Sequence, residues 1–178
     1  MLNVGDLIDA RTVTAIDGDA VAIPAAGGLV HLQFRRFAAC PICSLHLREI
    51  ASRHEEIADA GITEVVVFHS HAEALRRYQA DLPFAVIADP DRRLYGEFAV
   101  GSSLRSVLHP RAMHAAGRGV RRMGSVRSMF GSLAPTENHL GKPADFLIGP
   151  DATVLARKYG DHADDQWSVD ELLRLAAG

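Results

Sequence analysis

Cysteine is nearly absent: the 178-residue chain has two, and they stand three apart in Cys40-Pro41-Ile42-Cys43. A secreted scaffold held by disulfides would carry more of them, spread along the sequence. There is no long apolar run either. Stretches such as Val65-Val66-Val67-Phe68 are far too short for a bilayer, which needs about 20 residues. Neither charge dominates, since 19 Lys and Arg face 22 Asp and Glu for a formal net charge of −3. No global field therefore points to nucleic acid or to an anionic membrane. The first ten residues carry Asp6 and Asp9 and lack a basic start, which argues against a secretory leader and makes the cytoplasm the expected location.

What is present fits a soluble globular protein, with 48% hydrophobic and 23% charged residues and enough length for one domain over 1–178. Residues 12–24 turn at Asp17-Gly18 and read as a hairpin. Residues 29–35 follow as a strand with Val30, Leu32 and Phe34 on one face. A helical pattern runs over 41–60 and stops at Gly61. The run at 64–69 suits a strand buried on both faces. A helix at 71–81, a strand at 84–88 and a short helix at 92–98 come next. Residues 101–135 then hold Arg105, Arg111, Arg118, Arg121, Arg122 and Arg127 and no acidic residue. This stretch reads as an arginine-rich insert, helical or irregular. Strands at 144–148 and 153–158 and a helix at 169–177 close the chain, with Ser168 as N-cap and Asp170 and Glu171 at the positive helix end. The order predicts an α/β fold. Its mixed central sheet is flanked by helices and preceded by the hairpin.

Two lone cysteines in a βα turn suggest chemistry rather than scaffolding. Cys40 falls at the N-cap and Pro41 at the first helical position, where a missing N–H costs least. Unpaired backbone N–H groups there favour a thiolate, as does a neighbouring cation. Arg35 and Arg36 precede the turn, and strand alternation lets at most one of them face it. Cys43 lies one turn into the helix on its inner face, partly shielded and within reach of Cys40. That division suggests an attacking and a resolving sulfur. A structural zinc site would need two more ligands, such as His46 with His69 or His71, and no second cysteine pair exists. His69, at a strand's C-terminal end, reads as a satisfied polar group or a proton acceptor. His46 reads as solvated, and Trp167 as an anchor for the last helix.

The stretch Leu82-Pro83-Phe84-Ala85-Val86-Ile87-Ala88-Asp89-Pro90-Asp91, with Leu94-Tyr95 and Phe98-Ala99-Val100, resembles peroxiredoxins. So do Pro143-Ala144-Asp145-Phe146-Leu147-Ile148 with Asp151, and Ser168-Val169-Asp170-Glu171-Leu172-Leu173. With the cysteine turn, the resemblance covers roughly 5–100 and 140–178 and is to the peroxiredoxin-like branch of the alkyl hydroperoxide reductase/thiol-specific antioxidant (AhpC/TSA) family. It implies a thioredoxin-like fold and a thiol oxidoreductase that reduces peroxides or disulfides through a Cys40/Cys43 cycle. Such a cycle uses no cofactor or metal. It draws electrons from a thioredoxin- or glutathione-type reductant. The insert or an exposed edge strand would support a homodimer. The chain departs from the family's Pro-x-x-x-Thr-x-x-Cys pattern in either register, and Pro143 stands near where the family has a peroxide-polarising arginine. Pro143 resembles instead the cis-proline that faces the cysteines in thioredoxins. Position favours Cys40 as first nucleophile, whereas the peroxiredoxin register favours Cys43. The alternative is a non-catalytic redox sensor or binding module switched by the Cys40–Cys43 disulfide.

Overall fold

The computed structural model describes residues 1–101 and 141–178. Apart from Gly101, the arginine-rich insert expected at 101–135 lies outside the described residues. The chain opens with an antiparallel hairpin of β1 (Arg11–Thr14) and β2 (Ala20–Ile23), turning at Asp17 and Gly18. Gly18 takes φ +103 there, a conformation that suits a residue without Cβ. A five-stranded sheet follows in the order β5-β4-β3-β6-β7, built from β3 (Leu29–Arg35), β4 (Ile62–Phe68), β5 (Ala85–Ala88), β6 (Ala144–Ile148) and β7 (Val154–Tyr159). β3, β4 and β5 run parallel, and β6 and β7 add antiparallel strands on the other side. This is the mixed sheet with an N-terminal hairpin that the sequence predicts.

β3 is central, with Phe34 opposite Val67 of β4 and Ala144 of β6. Both faces of the sheet are covered. Val30, Leu32, Phe34, Val65, Val67, Phe146 and Ile148 pack with Tyr95 and Phe98 on one side. Leu47, Ile50, Val66, Phe68, Leu147, Trp167 and Leu172 fill the other. Burial of so many branched and aromatic side chains is the main favourable term of the fold, at about 25 cal/mol per Å² of apolar surface. Isolated bridges Leu7–Thr153 and Ala15–Ile87 bring the N-terminal segment against both outer strands.

The helix predicted over 41–60 is two: α1 (Pro41–Ser52) and α2 (His54–Asp59). Arg53 leaves helical geometry at φ −118, ψ 22, and its N–H closes on Ile50 O at 3.1 Å, three residues back. Its guanidinium is drawn to Glu56 and Asp170 at 2.8 and 2.7 Å, which fixes the break against the last helix. α3 (Ala72–Gln79), α4 (Arg93–Glu97) and α5 (Val169–Ala176) complete the described elements. Ser168 and Glu171 form the reciprocal capping box at the start of α5. No helix among the described residues is long and apolar enough to cross a membrane.

Candidate active site

The chain leaves the C-terminal end of β3 at Arg35 and enters α1 at Pro41, and the short turn between them carries the chemistry. Cys40 is the N-cap, with extended φ −66 and ψ 113, and its sulfur accepts the backbone N–H of Cys43 at 3.3 Å. The turn is held from three sides. Ser70, just beyond β4, accepts the N–H of Ala38 at 2.9 Å, and the Gln79 amide of α3 donates to Ala38 O at 2.6 Å. Tyr95 of α4 donates its hydroxyl to the carbonyls of Arg35 and Val67. Asp89 in turn accepts the N–H groups of Arg93 and Tyr95 at 2.9 and 3.2 Å, so the Asp-Pro stretch positions the tyrosine.

The two sulfurs are 2.6 Å apart and both cysteines are free. They are buried, at 0% exposure for Cys40 and 1% for Cys43. The sequence predicted a partly shielded Cys43. The turn folds under its own backbone ties, and both thiols lie inside. One arginine faces them, as alternation requires: Arg36 brings Nη1 to 4.0 Å from the Cys40 sulfur, with its guanidinium also over the Phe37 ring. Arg35 spends its hydrogen bonds within the sheet instead, on Gln33 and Asp145.

Burial opposes ionisation at both sulfurs. At Cys40 the hydrogen bond and charge of Cys43 add to that opposition, and the thiol is pushed well above its ordinary value. At Cys43 burial is outweighed by the hydrogen bond from Cys40, the charge and backbone of Arg36 and the charge of Arg35, which bring the thiol down to about 7. The two thiols share a proton, and the charge of Arg36 draws Cys43 towards ionisation. A groove of about 240 Å³ runs beside the turn, lined by Ala39, Ser44, Arg48, Tyr78 and Gln79.

Other expectations fare differently. His46 is buried, not solvated, because α1 turns it inward with Cys43 and Leu47. Desolvation, then the charge of Arg35, hold its imidazole well below its usual range and hence neutral. Among the described residues the cis peptide bond joins Ile23 and Pro24, so the expectation of a cis bond before Pro143 is corrected: Pro143 stands just before β6 with a trans bond. Pro143 packs against Gly160, whose N–H donates to its carbonyl at 2.9 Å. Trp167 is buried against the helix-side core, its ring 5.6 Å from His31, consistent with an anchor for α5. His69 is buried with its ring edge-on to Tyr95 at 5.5 Å.

The sequence reading missed Ser70, Gln79 and the buried polar side chains of the sheet. The strict alternation of His31, Gln33 and Arg35 with Val30, Leu32 and Phe34 was the available signal. Such a pattern ordinarily marks a solvated face, yet all three polar residues are at 0% exposure.

A family model described as AhpC/TSA antioxidant enzyme matches residues 49–162, more than half of the chain. The chain belongs to the AhpC/TSA antioxidant enzyme family. The matched residues begin after the cysteine turn, so the match rests on the strands and helices around it. No curated protein matches the sequence. Among solved structures, peroxidoxin BcpB from Mycobacterium tuberculosis superposes with a TM-score of 0.70 at 14% identity, over 99% of this chain and 97% of that one. A cysteine-to-serine mutant of peroxiredoxin 6 from Arenicola marina gives 0.69 at 14%, over 99% and 73%. A putative thiol:disulfide interchange protein DsbE from Chlorobium tepidum gives 0.62 at 16%, over 99% of both. The fold is thioredoxin-like. As an AhpC/TSA member the protein is a thiol-dependent oxidoreductase of the antioxidant, peroxide-reducing kind. The reading as a non-catalytic sensor is not favoured.

Proposed function

We propose that the protein reduces small peroxides through a Cys43/Cys40 dithiol-disulfide cycle in which Cys43 attacks first. The observation that carries this reading is the contact of the two sulfurs at the amino end of α1, with the cation of Arg36 beside them. The Cys43 thiolate attacks the distal oxygen of the peroxide. An S–O bond forms, the O–O bond breaks, and the alkoxide leaves and takes up a proton as the alcohol. Cys43 is then a sulfenic acid. Cys40 gives up its proton and attacks that sulfur, an S–S bond forms, and the hydroxyl leaves with the proton as water. With the sulfurs 2.6 Å apart the second step needs little rearrangement. A thioredoxin-type dithiol restores both thiols. Pro143 belongs to the site in this reading, because it precedes β6 beside the end of β3 from which the cysteine turn departs.

Two buried sulfurs favour a peroxide of a few heavy atoms over a bulky disulfide. Direct thiol-disulfide exchange is the second reading, favoured by the N-capped Cys-x-x-Cys geometry. Turnover with hydrogen peroxide, an alkyl hydroperoxide and a small disulfide, each with thioredoxin or glutathione as reductant, separates the two. Cys43→Ser is expected to abolish turnover with peroxide. Cys40→Ser is expected to be oxidised once, to a sulfenic acid trapped by dimedone, and then to stall. Full peroxide turnover by Cys43→Ser overturns the assignment.

A further inference from the structure

Five buried side chains on the helix-bearing face of the sheet close into a ring. Arg35 Nη2 donates to Asp145 Oδ1 at 2.6 Å, and His31 Nε2 meets the same oxygen at 3.2 Å. His31 Nδ1 meets the Glu64 carboxylate at 2.9 Å. The Gln33 amide donates to Glu64, and its carbonyl accepts Arg35 Nη2 at 2.7 Å. Asp145 Oδ2 also accepts the N–H of Trp167 at 3.3 Å, and Arg35 Nη1 donates to Phe34 O at 3.1 Å. Four strand positions make this possible: His31 pairs with Glu64 across β3 and β4, and Gln33 with Asp145 across β3 and β6. Cations and anions alternate around the ring as Arg35, Asp145, His31 and Glu64.

A buried ionic network is a poor way to gain stability, since desolvation offsets most of the attraction. Four charged groups at no more than 2% exposure therefore ask for another role. Their position supplies one. Arg35 ends β3, one residue before Arg36 and five before Cys40, and its side chain lies on the sheet face that carries α1. Low-dielectric surroundings let its charge act across the core. The ring fixes where that charge sits and how much of it Asp145 cancels.

We propose that the Arg35–Asp145–His31–Glu64–Gln33 ring is a positioning unit for the reacting thiols, setting through the balance of its buried charges how readily Cys43 ionises. The inference rests on Cys43 being the attacking sulfur, but its test does not use turnover. The ring does not relay protons: His31 is held protonated by its two carboxylates and Asp145 is held ionised by Arg35 and His31. It acts as a fixed electrostatic support. The other ionisable groups around Cys43 are Cys40 and His46 on its own helix, Arg36 at the end of β3, and Tyr95 of α4. The variants below replace none of these; Arg35 and His31 also disfavour, and Asp145 favours, the charged form of His46.

The experiment follows alkylation of the full-length reduced protein against pH, with the modified sulfur read from fragment ions of the tryptic peptide 37–48. Arg35→Gln removes a cation and is expected to raise the Cys43 midpoint by roughly one unit. Asp145→Asn removes an anion of similar size and is expected to lower it by a similar amount. The double variant is expected to return towards the starting value. Loss of packing alone would move both single variants in one direction and the double variant further still. Should Arg35→Gln fail to fold by circular dichroism, His31→Gln removes the second cation and carries the same upward sign. Shifts of the same sign in the cation and anion variants, or no shift in either, overturn the proposal. Full peroxide turnover by Cys43→Ser with the opposed shifts intact would instead fault the reading of Cys43 as the peroxide nucleophile.

Discussion

The guanidinium of Arg36 stands 4.0 Å from the sulfur of Cys40 and covers the Phe37 ring. At 4% exposure it is a buried cation beside two buried thiols, where its field is weakly screened. The resemblance to peroxiredoxins puts Pro143 near the place of the family's arginine. Arg36 supplies a guanidinium from the residue just after β3. Its removal as Arg36→Gln is expected to raise the pH at which Cys43 ionises and to slow peroxide turnover at neutral pH by roughly tenfold, the effect of a shift of about one unit. Arg36→Lys keeps a charge but not the planar fork, so partial recovery is expected. Alkylation and stopped-flow oxidation at several pH values check both, and unchanged kinetics in Arg36→Gln would refute the role.

His31 ties stability to pH in a stated direction. Burial lowers its basicity, but Glu64 and Asp145 outweigh that and bring it from 6.5 to about 9. The sign follows from linkage: a group more basic when folded stabilises the fold fully below its unfolded pKa and loses that contribution as pH rises through its folded one. The window is thus pH 6.5 to about 9. A shift of this size corresponds to about 3 kcal/mol. Cys43 titrates in the same window, so the informative quantity is the difference between wild type and His31→Gln. Urea unfolding from pH 6 to 9.5 is expected to show that difference shrink as pH rises, and a constant difference would contradict the assignment.

Gly160 offers a backbone test of the region around Pro143. A Cβ there would come within 2.5 Å of Asp165 O and 2.7 Å of Pro143 Cγ. Neither neighbour is the free end of a flexible side chain, so the strain falls on the backbone between β7 and α5. Gly160→Ala is expected to cost roughly 1–3 kcal/mol, as overpacking does. Thermal unfolding checks this, and an unchanged Tm would show that the segment yields freely.

Much of the fold could be read from local chemistry. Asp17-Gly18 marked the hairpin, the apolar run at 65–68 marked a strand buried on both faces, and Ser168 with Glu171 marked the start of α5. Cys40 at the N-cap with Pro41 behind it was also legible, because capping preferences act over three or four residues. The rest depends on distant partners. At the helix break, Arg53 reaches Asp170, 117 positions away. The inward turn of His46 and the depth of both sulfurs follow from packing between α1 and the sheet. His31, Gln33 and Arg35 looked like one polar face of a strand. Glu64 and Asp145, brought alongside by the sheet order, turn that face into a closed interior network.

Tyr95 joins the family-like stretch to the site, and its hydroxyl can be tested alone. At 2% exposure it donates to the carbonyls of Arg35 and Val67, at the ends of neighbouring strands. Arg36 follows Arg35 directly, so the hydroxyl also restrains the segment that delivers the cation to the sulfurs. Tyr95→Phe keeps the ring and its edge-on contact with Phe34 at 5.0 Å. It removes only the donor and leaves two buried carbonyls with less satisfaction, which costs about 1–3 kcal/mol. A lower Tm is therefore expected, with slower alkylation of Cys43 at pH 7 from looser placement of Arg36. A Tm loss without a change in alkylation would confine the tyrosine to stability. An unchanged Tm would mean that water takes over both carbonyls when the hydroxyl is gone.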